Sequence, residues 1–264
     1  MKIGALIPIR LASERLVKKA ILDLAGKPVV YHLLDRAFAS KYLEKENVVV
    51  CTTQEASDDE LVEVVQQYGA SVFRGDTDDI IKRFYDAMVY YKFDAVIQID
   101  GDDITVEPYY MDLTMDKLLN DSSLDVVSVD GLPLGVSSKS FTFNAMKKVF
   151  ERYKTTQNDT GFASLFTETD FCNSIVLKPV STEHIDDSLR LTLDYQQDLD
   201  FFEVIFKELY KEGEVFHIED IIQLIKRKPE LNQINSNLQE EYMKRWYDKR
   251  NIYYIDNEGK MKKI

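Results

Sequence analysis

LIPIRLASERLVKKAILDLAGKPVV, residues Leu6–Val30, is the stretch on which the fold turns. Its first residues complete a nearly continuous apolar run, IGALIPI (3–9), the pattern of a strand covered on both faces. Arg10, Ser13, Arg15, Lys18 and Lys19 follow within ten residues, and Pro28 stands where a helix can begin. The same alternation continues along the chain. NVVVCT (47–52), SVFR (71–74), DAVIQI (94–99) and DVVSV (125–129) read as strands. Between them, Val30, Leu33, Leu34, Ala37 and Phe38, then Leu61, Val64, Val65 and Tyr68, then Ile81, Phe84, Tyr85 and Met88 fall at helical spacing. Ser57 with Glu60 reads as a capping box and Gly69 as a helix stop. Repeated β–α units predict an α/β fold, a doubly wound and mostly parallel sheet with ligands bound beyond the carboxyl ends of its strands.

From residue 131 the pattern weakens. DGLPLGVSSKS and TTQNDTG read as loops, so 131–190 is expected to be a mixed α/β insertion that covers the site or a partner subunit. LRLTLD (189–194) reads as a further strand leading into a helix, and 219–264 as a helical C-terminal tail of a single 1–264 domain.

The 264 residues are 45% hydrophobic, enough for one sizeable core, and carry a net charge of −13, which repels a nucleic-acid backbone. No apolar run approaches the roughly 20 residues of a membrane span, and MKIGALIPIR passes straight into a strand, so a cytoplasmic protein without membrane contact is expected. Cys51 and Cys172 offer neither a disulfide framework nor a cysteine metal site. The charge is uneven. Residues 1–27 hold six basic and two acidic side chains and residues 242–264 seven and three, around a strongly acidic body. Cations and a hydroxyl on a loop at a strand's carboxyl end suit a triphosphate, with a merely solvated basic loop as the alternative. In QIDGDDITVEP, Asp100, Asp102 and Asp103 crowd another strand end, where repulsion must be relieved by a cation, a basic side chain, protonation or solvent. His32, His184 and His217 share no motif and read as structural.

The pattern P-x-R-x-x-S-x-R-L-x-x-K followed by A-G-K-P, on Pro8, Arg10, Ser13, Arg15, Leu16, Lys19, Ala25, Gly26, Lys27 and Pro28, resembles the opening motif of the CMP-sugar cytidylyltransferases. That family includes the 3-deoxy-manno-octulosonate and acylneuraminate enzymes and their spore-coat polysaccharide relatives, the branch this chain resembles most. Val17 and Lys18 stand where the family usually has Pro-Gly. GASVFRGDTDDIIKRFYDA (69–87) is similar to the spore-coat branch through Arg74, Gly75, Asp79 and Arg83. Asp102 in the segment after the fourth strand, and Arg190, Thr192, Asp194, Asp198 and Leu199 in LRLTLDYQQDLDFF, match further family positions. Where spore-coat relatives have G-L-D-V-E-V-F, this chain has Gly135–Phe141 with two acids replaced by Ser and by Lys139, which favours a more anionic acceptor or marks a lost function.

The resemblance implies transfer of CMP from CTP to a sugar acid or other anionic acceptor with release of pyrophosphate, for surface polysaccharide or related glycan synthesis. It implies that Arg10, Ser13, Arg15 and Lys19 hold the triphosphate, with Arg15 and Lys19 also steadying the departing pyrophosphate. Pro8, Arg74 and Lys139 are expected to contact substrates, Asp102 and Asp194 to hold Mg2+, whose preference for oxygen ligands they suit, and the chain to form a homodimer. Arg74 has an ion pair with a nearby acid as its alternative. A glycosyltransferase using a nucleotide sugar and a catalytically silent nucleotide-binding protein are the rival readings.

Overall fold

The computed structural model describes residues 1–13 and 15–264. Seven strands form the central sheet: β1 Ile3–Pro8, β2 Val48–Thr53, β3 Ser71–Gly75, β4 Ala95–Gln98, β5 Val126–Val129, β6 Lys139–Thr142 and β7 Ser174–Leu177. Their order is β3-β2-β1-β4-β6-β5-β7, parallel throughout except for β6, which runs antiparallel to both neighbours.

Helices cover both faces, which is why the strands read as unbroken apolar runs. Ala5, Ile7, Val48, Val50, Ala95, Ile97 and Val127 face one core, shared with α1 (Val29–Phe38), α2 (Asp59–Tyr68), α4 (Pro108–Asn120), α7 (Gln196–Leu209) and α8 (Ile218–Arg227). The alternate residues Leu6, Val49, Cys51, Val96, Val126 and Phe141 face a second core under α3 (Ile80–Tyr91), α5 (Phe143–Arg152) and α6 (Ser164–Thr167). Burying roughly a dozen large side chains on each face, at about 1.5–3 kcal/mol apiece, is what holds the two layers to the sheet. Among the described residues, no helix is long and apolar enough to cross a membrane.

Four features depart from the sequence reading. Segment 131–190 is not solely an insertion, because β6 and β7 belong to the central sheet. LRLTLD is extended but stays out of the ladder: Leu191 N donates to Leu134 O (2.8 Å) and Leu193 N to Asp102 O (2.9 Å), stitching it between two loops. Ser57 and Glu60 form no capping box, since Ser57 sits in a 3-10 turn and Asp58 holds the N-cap position of α2. The tail contains α8 and α9 (Leu238–Lys249) but ends in a hairpin, β8 Tyr253–Ile255 with β9 Met261–Lys263.

Candidate active site

At the carboxyl ends of β1 and β4 lies a cleft of about 670 Å3, within the range of small-molecule sites. The loop after β1 forms one wall. Leu11 N donates to the buried carboxylate of Asp58 (2.8 Å), which also accepts from Thr52 Oγ1 (2.9 Å) and the backbone of Thr53 (3.2 Å). Lys18 then takes φ 55, ψ 29, the left-handed conformation that costs a non-glycine residue about 1–2 kcal/mol. It stands where the family motif has glycine, the residue that takes this conformation without strain. Its ammonium points away from the cleft to Glu60, 2.5 Å away and half-exposed. The turn leads directly into Lys19, which it aims inward.

Opposite, residues 100–103 turn tightly after β4. A Cβ on Gly101 would lie 2.4 Å from Pro8 O, so only glycine lets this turn press against the end of β1. That approach brings Asp102 beneath Lys19. The stitching of 189–194 delivers Asp194 to the same point.

Lys19 Nζ donates to Asp102 Oδ2 (3.1 Å), Asp194 Oδ1 (2.9 Å) and Leu193 O (2.7 Å). Arg15 Nη2 reaches Asp194 Oδ1 at 2.5 Å, and the fully buried Arg190 approaches its other oxygen at 3.4 Å. Burial disfavours the Lys19 ammonium, but the two carboxylates outweigh it and raise its pKa. Burial likewise opposes ionisation of Asp194, yet Lys19 and Arg15 hold its pKa below the usual carboxylate value. Asp102 has weaker compensation: burial pushes it up to about 6 against the pull of Lys19. Asp103 is pushed well up by burial and then by Asp102 and Asp100, which favours its protonated form. Beside them Asp100 accepts from Gln98 Nε2 at 2.8 Å. Asp198 is structural. It binds Arg190 (2.8 and 3.0 Å), accepts from the backbone of Asp194 and Tyr195, and so closes the start of α7.

Of the residues expected to bind substrates, Pro8, Arg10, Ser13, Arg15, Lys19, Asp102 and Lys139 line the cleft, with Arg10 paired to Asp159 at 2.9 Å. Arg74 lies apart from this set and takes the ion-pair alternative, donating to Thr53 O (2.8 Å), Asp59 (2.6 Å) and Glu55 O (2.8 Å). Asp194 sits behind Lys19 and Arg15 with its side chain fully enclosed. The histidines are structural: His32 Nε2 donates to Leu24 O, His184 meets Tyr110 and His217 meets Glu107. Sequence reasoning missed Tyr242, whose ring lies 4.6 Å from the Arg190 guanidinium and 5.9 Å from that of Arg15. It also missed Trp246 beside it in the cleft lining. No local pattern in the tail marks either residue, because the fold alone carries α9 to the cleft.

Two aspartates that share one ammonium can share another cation. Among the described residues no three His, Cys, Asp or Glu side chains converge on a single metal position. Mg2+ commonly takes one or two protein carboxylates and completes its shell with phosphate and water, and oxygen donors of that kind are what Asp102 and Asp194 offer.

The profile of the cytidylyltransferase family matches residues 4–219. An uncharacterised protein of Methanocaldococcus jannaschii is 30% identical over 245 residues, covering 91% of this chain and 97% of that protein. A 3-deoxy-manno-octulosonate cytidylyltransferase of Yersinia pseudotuberculosis is 31% identical over 156 residues, 57% of this chain and 59% of the relative. The solved structure of a cytidylyltransferase from Leptospira borgpetersenii superposes with a TM-score of 0.79 at 27% identity, covering 88% of this chain and 97% of its own.

Proposed function

The chain belongs to the cytidylyltransferase family and is therefore a nucleotidyltransferase, and on that premise we propose that it transfers CMP from CTP to an anionic acceptor and releases pyrophosphate. The observation that carries this reading is the cluster of Arg15, Lys19, Asp102 and Asp194 at the mouth of β1 and β4.

Arg10, Ser13, Arg15 and Lys19 line the triphosphate side of the cleft, where charge-assisted hydrogen bonds to phosphate oxygens are strongest. A phosphate oxygen of the acceptor, or a hydroxyl that gives up its proton to solvent, attacks the α-phosphorus, the bond to the bridging oxygen breaks, and the electron pair leaves on pyrophosphate. Arg15 and Lys19 neutralise that leaving group as it departs. Asp102 and Asp194 would hold Mg2+, which when bound neutralises phosphate charge at the reacting centre. For Arg15 and Lys19 to turn to phosphate they must be released from the aspartates, so binding is an exchange of partners within one network. Lys139, at the start of β6, lines the cleft and attracts a negatively charged acceptor. Surface polysaccharide or related glycan synthesis and a two-fold homodimer belong to the same reading; a solution mass of 30.6 kDa at micromolar concentration would remove the dimer.

Incubation with each nucleoside triphosphate, Mg2+ and a panel of sugar acids and phosphorylated alcohols, with pyrophosphate as the readout, tests the proposal. Acceptor-dependent pyrophosphate from CTP alone is the expected result. Release of nucleoside diphosphate from a nucleotide sugar would turn the reading to glycosyl transfer, and nucleotide binding without turnover to a silent binding protein.

A further inference from the structure

The matched family region ends at residue 219, yet part of the cleft is walled by residues of α9, C-terminal to that region. Among the described residues of α9, Leu238 alone is buried, so core packing does not hold this helix in place. Its ends do. At the start, Gln239 accepts from Arg190, and the enclosed Asn235 just before it donates to Arg190 O (3.1 Å) and Asp198 (2.9 Å). At the far end Arg250 pairs with Glu168, and the hairpin beyond is fastened by Lys154 N to Tyr253 O and Tyr253 N to Thr155 Oγ1, each 2.8 Å. Gly161 leaves room for this junction: a Cβ there would lie 2.8 Å from the Arg250 side chain. The helix thus bridges the cleft.

Its charges are sorted. Tyr242, Arg245, Trp246 and Lys249, at i, i+3, i+4 and i+7, line the cleft together with Arg250, whereas Glu240, Glu241 and Asp248 are not among the described residues that do. Among the described residues, the acids that line the cleft are Asp100, Asp102 and Asp103 on the side of β4, and Asp159 and Glu168, which pair with Arg10 and Arg250. Arg250 Nε is buried and, among the described residues, has no hydrogen-bond partner, a state that costs about 1–3 kcal/mol unless a ligand supplies an acceptor. Cations beside two flat rings suit a molecule with an anionic group on a carbon skeleton.

We propose that α9 forms the acceptor half of the active site, with Tyr242, Arg245, Trp246, Lys249 and Arg250 recognising a polyol that bears a carboxylate or a phosphate. This rests on the cytidylyltransferase reading and deepens it, because the acceptor is then selected by a segment beyond the matched family region. Both rings give the carbon skeleton a surface, and the cations fix its anionic end on the side of the cleft away from Lys19.

Trp246 is the single tryptophan of the chain, so its emission reports on this half of the cleft. Full-length protein is first saturated with a CTP analogue that carries a methylene bridge between the α- and β-phosphorus, its binding measured by calorimetry. 3-Deoxy-manno-octulosonate, glycerol 3-phosphate and neutral glycerol are then titrated separately. A change in Trp246 emission with at least one anion and none with glycerol is expected, and which anion responds distinguishes carboxylate from phosphate. Lys249→Gln and Arg250→Gln should each weaken that anion about tenfold while leaving the analogue within about twofold. Arg250→Lys, which keeps a charge, should recover part of the loss and separates recognition from loosened packing. No response to either anion, an equal response to glycerol, or equal losses of anion and nucleotide overturns the assignment of α9. Failure of the analogue to bind overturns the nucleotide reading, and this inference with it.

Discussion

The loop between Pro8 and Ala20 and the helix α9 face one another across the cleft, both offering cations, but they are held by different means. The loop is fastened along its length: Leu11 on Asp58, Lys18 in a left-handed turn, Lys19 among two carboxylates and a carbonyl. α9 has Leu238 as its one buried residue and is held chiefly at its ends, with the Tyr242 ring against Arg190 and Arg15 between them. Groups that must meet a reacting phosphate within a fraction of an ångström need the first kind of support. A surface that selects one acceptor among several tolerates the second, because its side chains can change without disturbing the sheet.

The largest effect should come from the aspartates. Asp102→Asn and Asp194→Asn are each expected to lower pyrophosphate release by about 100-fold or more, as loss of a group placed at developing charge does. Their stabilities should diverge. Asp102 is costly to keep ionised, so its Asn variant should melt no lower than the parent in the absence of metal. Asp194 partners Arg15, Lys19 and Arg190, and removing its charge should cost about 3 kcal/mol or more because buried cations lose their counter-charge. Near-parental turnover in either variant would contradict the role given to these groups.

His32 tests how the return of the loop is secured. Burial lowers its pKa to about 4 from 6.5, its Nε2–H bonding Leu24 O. As pH falls below 6.5 the unfolded chain takes up a proton that the folded chain refuses until about pH 4. The contribution of His32 to stability should therefore decline across that window, by about 3 kcal/mol in total, and become constant below it. Denaturant melts of His32→Gln should show a flatter profile there, and identical slopes for parent and variant would rule the linkage out.

If Arg15 and Lys19 hold the β- and γ-phosphates as proposed, Arg15→Ala and Lys19→Ala should weaken CTP by about tenfold or more, a loss of roughly 1.5–3 kcal/mol, and weaken CMP far less. Equal losses by calorimetry would remove them from the β- and γ-phosphates. The smallest effect concerns Lys18. Lys18→Gly should raise stability by up to about 1 kcal/mol in a thermal melt, because glycine takes the left-handed turn without strain and the exposed pair with Glu60 contributes little. CTP affinity should not change, as that ammonium points out of the cleft.

Strands β1, β2, β4 and β5 and the basic loop were legible because a parallel strand buried on both faces is largely apolar, and because the loop's cations are close together in the chain; β3, a half-buried edge strand, was legible from the short run SVFR. LRLTLD misled for the same reason. Its residues are all buried, as in a strand, but their backbone groups bond to Leu134 and Asp102 instead of a ladder, and burial pattern alone does not report the partner. β6 was hidden because KSFT is short and polar at its start, and β7 because it is an edge strand with Val176 half-exposed.

What the amino-acid order determined by itself is therefore the α/β layering, the family motif and the chemical character of the loop, all of which depend on neighbours within a few residues. Tertiary structure alone decided that Asp102 and Asp194 share one lysine, that Arg74 is tied to Asp59, and that the tail returns to place Tyr242 and Trp246 over the cleft. Those juxtapositions join positions far apart in the chain, and they exist only once burial of both sheet faces has fixed where each loop must end.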